Sequence, residues 1–249
     1  MSKYWKDFTV PYYDTDREGY IKPENILAYM AETSNWHSDS LHVGFRELSK
    51  NGHAWMLLRW EAEILKYPRA KDRVRIGTWT SGFDRFYATR EFVLTSQEGD
   101  LLAKATTKWF FLDIDRRRPK RIPEEIQKSY SFVEEFNFPE FGAMKELEGD
   151  MKESGPFRVR RSDIDNNDHV NNIRYIEWIQ EGLDGEVYQD MRIRRLGMVY
   201  KKEVLFGDSF MTGHMRDEEN PNHMDHVISV DGEINAQAYT EWAEKGLLE

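Results

Sequence analysis

A chain of 249 residues, 39% hydrophobic and 14% aromatic, is long enough to bury one large core or two modest ones, and is not a disordered polymer. Its net charge of −10 argues against bulk binding to nucleic acid or stable association with an anionic membrane, so an acidic partner would need a local basic patch. The absence of cysteine excludes a disulfide scaffold, a thiolate zinc site and a thiol nucleophile, and suits a reducing cytoplasm.

The stretch from Met1 to Asp7 lacks the basic-then-apolar pattern of a secretory signal, and no run reaches the ~18 apolar residues of a transmembrane helix. Phe8 to Tyr13 reads as a short strand leading to Asp14-Thr15-Asp16-Arg17-Glu18-Gly19-Tyr20-Ile21. Pro23 then suits a first helical turn, and Ile26, Leu27, Met30 and Ala31 follow at helical spacing. Trp55 to Leu65, Val74 to Ser81, Phe86 to Gln97 and Leu101 to Leu112 carry the aromatic and β-branched content of strands. Glu98-Gly99-Asp100 and Asp231-Gly232 are hairpin turn signals. Between Pro119 and Gly155 the periodicity is lost, apart from a predicted short helix at Glu124 to Lys128; this reads as a linker docked by Phe132, Phe136, Phe138 and Phe141. Arg194 to Leu205, Ser209 to Met215, His226 to Val230 and Ile234 to Trp242 are the later strands.

The two ends of the chain repeat one another. At a separation of 149 residues, Asp14, Asp16, Ile21, Leu27 and Glu32 fall opposite Asp163, Asp165, Val170, Ile176 and Glu181. Gly99 to Trp109 matches Gly232 to Trp242 at a separation of 133. Agreement at both ends in the same order points to an internal duplication. Each half is then a strand, a polar turn, one long helix and several antiparallel strands. The predicted boundaries are an N-terminal domain at 1–118, a linker at 119–155 and a C-terminal domain at 156–249.

Asp163-Ile164-Asp165-Asn166-Asn167-Asp168-His169-Val170-Asn171-Asn172 gathers three carboxylates, a histidine and four side-chain amides in ten residues. A capping loop collects Asp and Asn in this way, but has no use for His169. Asn171 or Asn172 is the predicted N-cap of a helix bearing Ile173, Ile176, Ile179 and Leu183, which places His169 at the open N–H groups of that helix. The first copy has Glu18 and Tyr20 where the second has Asn167 and His169, so the base-and-amide pair belongs to the second half. Calcium-loop spacing at Asp163, Asp165 and Asn167 fails at Asp168 and Arg174, where Gly and a bidentate Glu are needed. Serine-elbow, zinc-protease and phosphate-loop motifs are missing. The other histidines, at 37, 42, 53, 214, 223 and 226, have no comparable polar setting. Arg116-Arg117-Arg118-Pro119-Lys120-Arg121 is the strongest basic cluster, either a solvated linker entry or a docking patch for an acidic partner.

Asp163 to Asn172, followed by Tyr175 and Trp178, closely resembles the signature of the acyl-acyl-carrier-protein thioesterases of plants and bacteria. Tyr200-Lys201-Lys202-Glu203-Val204-Leu205-Phe206-Gly207-Asp208 is similar to that family's Tyr-Arg-Arg-Glu-Cys segment, with Val204 in place of its cysteine. The resemblance spans both halves. It implies an α+β chain of two tandem hotdog folds, each a long helix wrapped by an antiparallel sheet. It implies hydrolysis of fatty acyl thioesters on an acyl carrier protein, without metal or organic cofactor, in the cytoplasm, as in a bacterial-type member without a transit peptide. The family's catalytic set carries over to Asp165, Asn167, His169 and Glu203. Arg117, Arg118 and Arg121 are then the expected carrier contacts, and Leu27 and Met30 the residues facing the acyl chain.

The chemistry such residues allow is water attack on the thioester, with Glu203 or His169 as base, Asp165 orienting, and Asn167 donating to the oxyanion. Rival expectations are a hotdog acyl-CoA thioesterase using Asp16, a hotdog enoyl-thioester hydratase, and a non-catalytic acyl-binding module. Chain-length preference, the choice of carrier or CoA, and the oligomeric state, a homodimer included, are not written in the sequence.

Overall fold

The computed structural model describes residues 3–145, 147, 151–165, 168–185 and 187–249. They form two compact units, 1–140 and 141–249.

In the first unit, β1 (Tyr4–Thr9) is followed by α1 (Pro23–Ser40), α2 (Phe45–Lys50), β2 (His53–Ile64), β3 (Arg73–Asp84), β4 (Tyr87–Ser96), β5 (Leu101–Asp113), β6 (Arg118–Pro119) and α3 (Glu124–Ser129). The antiparallel strand order is β1-β3-β4-β5-β2, with β6 beside β5. Pro23 opens α1, where its missing N–H has no partner to lose. Ile26, Leu27, Met30, Thr33, Ser34 and His37 form the buried face of α1, which packs chiefly on β3. Expected at Phe8 to Tyr13, the first strand lies earlier. Pro11 brings no N–H to a ladder, and Tyr12–Asp14 coils into a 3-10 turn.

The second unit contains β7 (Lys152–Arg158), α4 (Asn172–Glu181), α5 (Val187–Asp190), β8 (Met191–Tyr200), β9 (Ser209–Arg216), β10 (His223–Val230) and β11 (Glu233–Glu244). Its antiparallel order is β8-β11-β10-β9-β7, and α4 packs on β9 and β10. The β10–β11 turn places Asp231 and Gly232 at φ +52° and +79°, the left-handed pair that a two-residue hairpin requires. The strand expected to run from Arg194 to Leu205 ends at Tyr200. There the N–H groups of Lys201 and Lys202 both turn to the Asn235 carbonyl, and residues 201–208 leave the ladder as a loop.

The expected linker at 119–155 divides between the two units. Pro119 belongs to β6, the predicted short helix is α3, and β7 starts at Lys152. Asn137 fastens the intervening segment to the first sheet. Its side-chain amide donates to the carbonyls of Phe92 and Ala105, and its N–H to Glu91 Oε2.

The repeat is visible in the backbone. Asp16 N–H donates to Tyr20 O at 2.8 Å, and Asp165 N–H to His169 O at 2.8 Å. Lys22 N–H reaches Asp14 O at 2.9 Å, and Asn171 N–H reaches Asp163 O at 2.8 Å. Isolated bridges Thr15–Ile21 and Ile164–Val170 close both turns, and each turn has a left-handed residue, Gly19 at φ +84° and Asp168 at φ +62°. Among the described residues, no helix is long and apolar enough to cross a membrane.

Burial holds two histidines neutral. His37 is pushed down to about 4, by burial and then by the Arg90 charge; His226 falls to about 3, by burial and then by the charges of His214 and His223. On acidification the unfolded chain protonates first, near 6.5, while the folded chain resists. Stability should therefore be intact above pH 6.5 and fall as the pH drops toward 4, by up to about 1.4 kcal/mol per pH unit for each group. Urea unfolding across this range should show a shallower loss for His226→Gln than for the parent. An unchanged slope would assign the acid sensitivity to other groups.

Candidate active site

The loop between β7 and α4 is set by Asp163, whose carboxylate is only 1% exposed. Its Oδ2 accepts the Arg160 N–H at 2.7 Å, and the guanidinium groups of Arg160 and Arg174 approach its Oδ1 at 3.3 and 3.9 Å. Asn171 is the N-cap of α4, its Oδ1 accepting the Ile173 N–H at 3.0 Å. His169 thus stands two residues before the cap.

Glu203 reaches His169 from the loop after β8. His169 Nδ1 lies 3.5 Å from Glu203 Oε1, with the two side chains 40% and 29% exposed, so the pair is open to solvent and to a bound substrate. Three contacts hold the Glu203 loop. The Asn235 amide donates to Glu203 O at 3.0 Å, the Val204 backbone hydrogen-bonds the Tyr175 hydroxyl, and Gly207 at φ +88° lets the chain turn back, with Asp208 Oδ2 accepting the Leu205 N–H. Tyr200 donates its hydroxyl to Asn172 O at 2.8 Å, tying the end of β8 to the start of α4. Burial pushes the Tyr175 and Tyr200 hydroxyls above their usual range, so both are neutral ties rather than proton carriers.

Of the four expected catalytic residues, the structure brings His169 and Glu203 together and places Asp165 in the same turn, half-buried. Asn167 lies outside the described residues. Asn235, buried and bonded to Val230 N–H as well as to Glu203 O, was not expected. The signal for it was present: the first copy has Leu102 at the matching position of an apolar strand. Leu205 and Phe206, both about half exposed beside Glu203, were also missed; the Arg161 guanidinium sits 4.8 Å from the Phe206 ring.

The first unit keeps the frame without the pair. Tyr20 stands where the second unit has His169, and Arg69 donates to its hydroxyl. Asp16 spends Oδ1 on the N–H groups of Glu18 and Tyr20, at 2.9 and 3.0 Å. Leu27 and Met30, expected to face an acyl chain, have no exposed surface and belong to the core beneath α1. Helical periodicity marks a buried face but does not say whether protein or ligand covers it. The basic run lies on the β5–β6 hairpin, with Arg116, Arg117, Arg118 and Arg121 exposed. Arg117 at φ +49° forms the turn, and Asp113 Oδ1 accepts the Arg116 N–H.

Residues 1–130 match the acyl-ACP thioesterase N-terminal domain, and residues 147–244 the C-terminal domain of the same family. The chain belongs to the acyl-ACP thioesterase family. Among curated relatives, the chloroplastic oleoyl-acyl carrier protein thioesterase 2 of Arabidopsis thaliana is 27% identical over 226 residues, 77% of this chain. The chloroplastic acyl-[acyl-carrier-protein] hydrolase FATB1 of Cuphea viscosissima is 26% identical over 256 residues, 96% of this chain. Each match spans 61% of the relative's length. The fold of a 12:0-ACP thioesterase from Umbellularia californica superposes with a TM-score of 0.87 at 20% identity, covering 98% of both chains. An acyl-ACP thioesterase from Bacteroides thetaiotaomicron gives 0.85 at 24%, covering 96% of this chain and 97% of its own. The fold class is therefore that of the hotdog thioesterases, and the two family domains fall on the two units.

The cap makes a direct prediction. Asn171→Ala should lower unfolding free energy by about 1 kcal/mol, and Asn171→Asp should restore most of it, read by urea titration. Equal loss in both variants would mean that the amide, not the cap acceptor, is what the loop needs.

Proposed function

We propose that this chain hydrolyses fatty acyl thioesters carried on an acyl carrier protein, releasing the free acid and the carrier thiol. The observation that carries this reading is the His169–Glu203 pair at 3.5 Å, half-open to solvent at the start of α4, in a chain that has no cysteine. Val204, where the family resemblance expects a thiol, is fully buried, so this position offers no nucleophile to a substrate.

In this scheme a water oxygen attacks the carbonyl carbon while the His169–Glu203 pair takes the water's proton. The carbonyl electrons move onto oxygen, then return as the C–S bond breaks, and the departing thiolate recovers the proton. General-base help of this kind is worth roughly 10²–10⁴-fold. Asn167 is assigned to the oxyanion, together with N–H groups at the helix start, a contribution of about 2.7–4 kcal/mol per donor in other enzymes. Asp165 orients its neighbours. The first unit holds the acyl chain, a division supported by Tyr20 at the place of His169 and by the use of Asp16 in its own turn. That use also argues against an acyl-CoA thioesterase worked by Asp16.

His169→Ala and Glu203→Ala should each lower kcat by about two orders of magnitude or more, with the double variant losing less than the product of the two. Val204→Cys should leave the rate nearly unchanged. A covalent acyl-enzyme trapped by rapid acid quench and seen by mass spectrometry would sink the water mechanism.

The exposed hairpin at Arg116 to Arg121 is assigned to carrier docking, since a chain at −10 needs a local positive surface to meet an acidic partner. Neutralising Arg117, Arg118 and Arg121 together should raise KM for acyl-carrier substrate and flatten its salt dependence, leaving small acyl thioesters unaffected. Loss on both substrates would instead report damage to the fold.

A further inference from the structure

The loop that carries Glu203 begins with two lysines, and they are held differently. Lys202 pairs with the exposed Glu233 carboxylate. Lys201 Nζ donates instead to a neutral group, the side-chain Oε1 of Gln237, at 2.9 Å. Among the described residues no carboxylate pairs with Lys201. Gln237 lies buried on β11, and a buried amide is costly unless both of its ends find partners. Both do here, since its Nε2 donates to the Lys145 carbonyl at 2.6 Å.

Strand pairing shows which way this amide points. Tyr200 and Ala236 are register partners, and the Tyr200 hydroxyl reaches the start of α4, so position 236 looks toward α4. Gln237 and Tyr239 therefore look to the opposite face of the sheet. That face is covered by residues 142–145. Gly142 lies so close to the Tyr239 ring that a Cβ would have no room, and the Lys145 ammonium pairs with Asp217. The segment holds Gln237, and Gln237 holds Lys201, on the side of the sheet away from α4.

We propose that Gln237 is a positioning residue for the His169–Glu203 pair, and that it acts by keeping the Lys201 ammonium off the Glu203 carboxylate. Lys201 is two residues from Glu203, and its flexible four-carbon stem spans that distance. A freed ammonium would find a carboxylate a stronger partner than a neutral amide. Glu203 would then turn from the imidazole to the lysine. An amide holds a cation at this place without bringing a charge of its own into a buried site, and an apolar residue would hold nothing. The consequence for turnover rests on the functional reading above; the grip on Lys201 does not.

The test observes the pair directly. In the full chain, the His169 ring-proton NMR signals, assigned by their loss in His169→Asn, should move in Gln237→Met. They should return to the parent positions when Lys201→Met is added to Gln237→Met. In parallel, kcat on an acyl-carrier substrate should fall about tenfold in Gln237→Met with KM little changed, and recover in the double variant; a small misplacement of a reacting group costs this much or more. Gln237→Thr, too short to reach Lys201, takes the place of Gln237→Met if that variant does not fold. His169 signals that ignore Gln237→Met would overturn the proposal. So would signals that move and stay moved once Lys201 is gone, since Gln237 would then act through packing alone. The NMR measurement involves no turnover. A chain that shows the expected pattern but hydrolyses no thioester fails only the functional reading, and one that hydrolyses while its His169 signals ignore Gln237 fails only this one.

Discussion

The loop that carries His169 hangs on one buried carboxylate. Asp163 is sealed from water, so donors have to meet its charge, and Arg160 and Arg174 do so from either side of the loop. The carbonyl of the same residue receives the Asn171 N–H, which ties the loop's exit to its entrance. With both ends fixed, His169 stands at a set place two residues before the cap of α4. Asn235 does for Glu203 what Asp163 does for His169, holding the peptide rather than the reactive group. The 3.5 Å between imidazole and carboxylate is thus the outcome of two clamps on the main chain. Preorganisation of this kind depends on groups that sit behind the ones that react.

Seen this way, the two units are one scaffold with two contents. Asp14 and Asp163 fill the same corner of the same turn, but the first takes the Tyr29 hydroxyl, at 2.6 Å, where the second takes arginines. Their backbone bonds agree to within a few tenths of an ångström, while their side chains do not correspond. Reactivity was therefore open to change at few positions without disturbing the frame. A fold that fixes its loops through main-chain bonds can lose a histidine from one copy and keep the copy.

Much of this was legible in the sequence because its causes are local. Asn171 as cap, Asp231-Gly232 as hairpin and Pro23 as helix start depend only on backbone preferences within a few residues. The duplication was legible because a repeated turn needs repeated Asp residues. The misses come from interactions that sequence spacing does not encode. The apolar, lysine-bearing run to Leu205 reads as a strand, and only the Asn235 carbonyl, distant in sequence, ends it at Tyr200. Arg90 looks like any charged residue in a strand until its neighbours prove to be His37 and Tyr130.

The left-handed residue of each turn has an energetic consequence. Gly19 adopts its φ of +84° freely, whereas Asp168 holds +62° with a side chain in place, at about 1 kcal/mol of local strain. The copy with Tyr20 has the relaxed residue and the copy bearing His169 the strained one. Glycine at position 168 would relieve that strain, so two turns with the same hydrogen bonds differ in backbone energy.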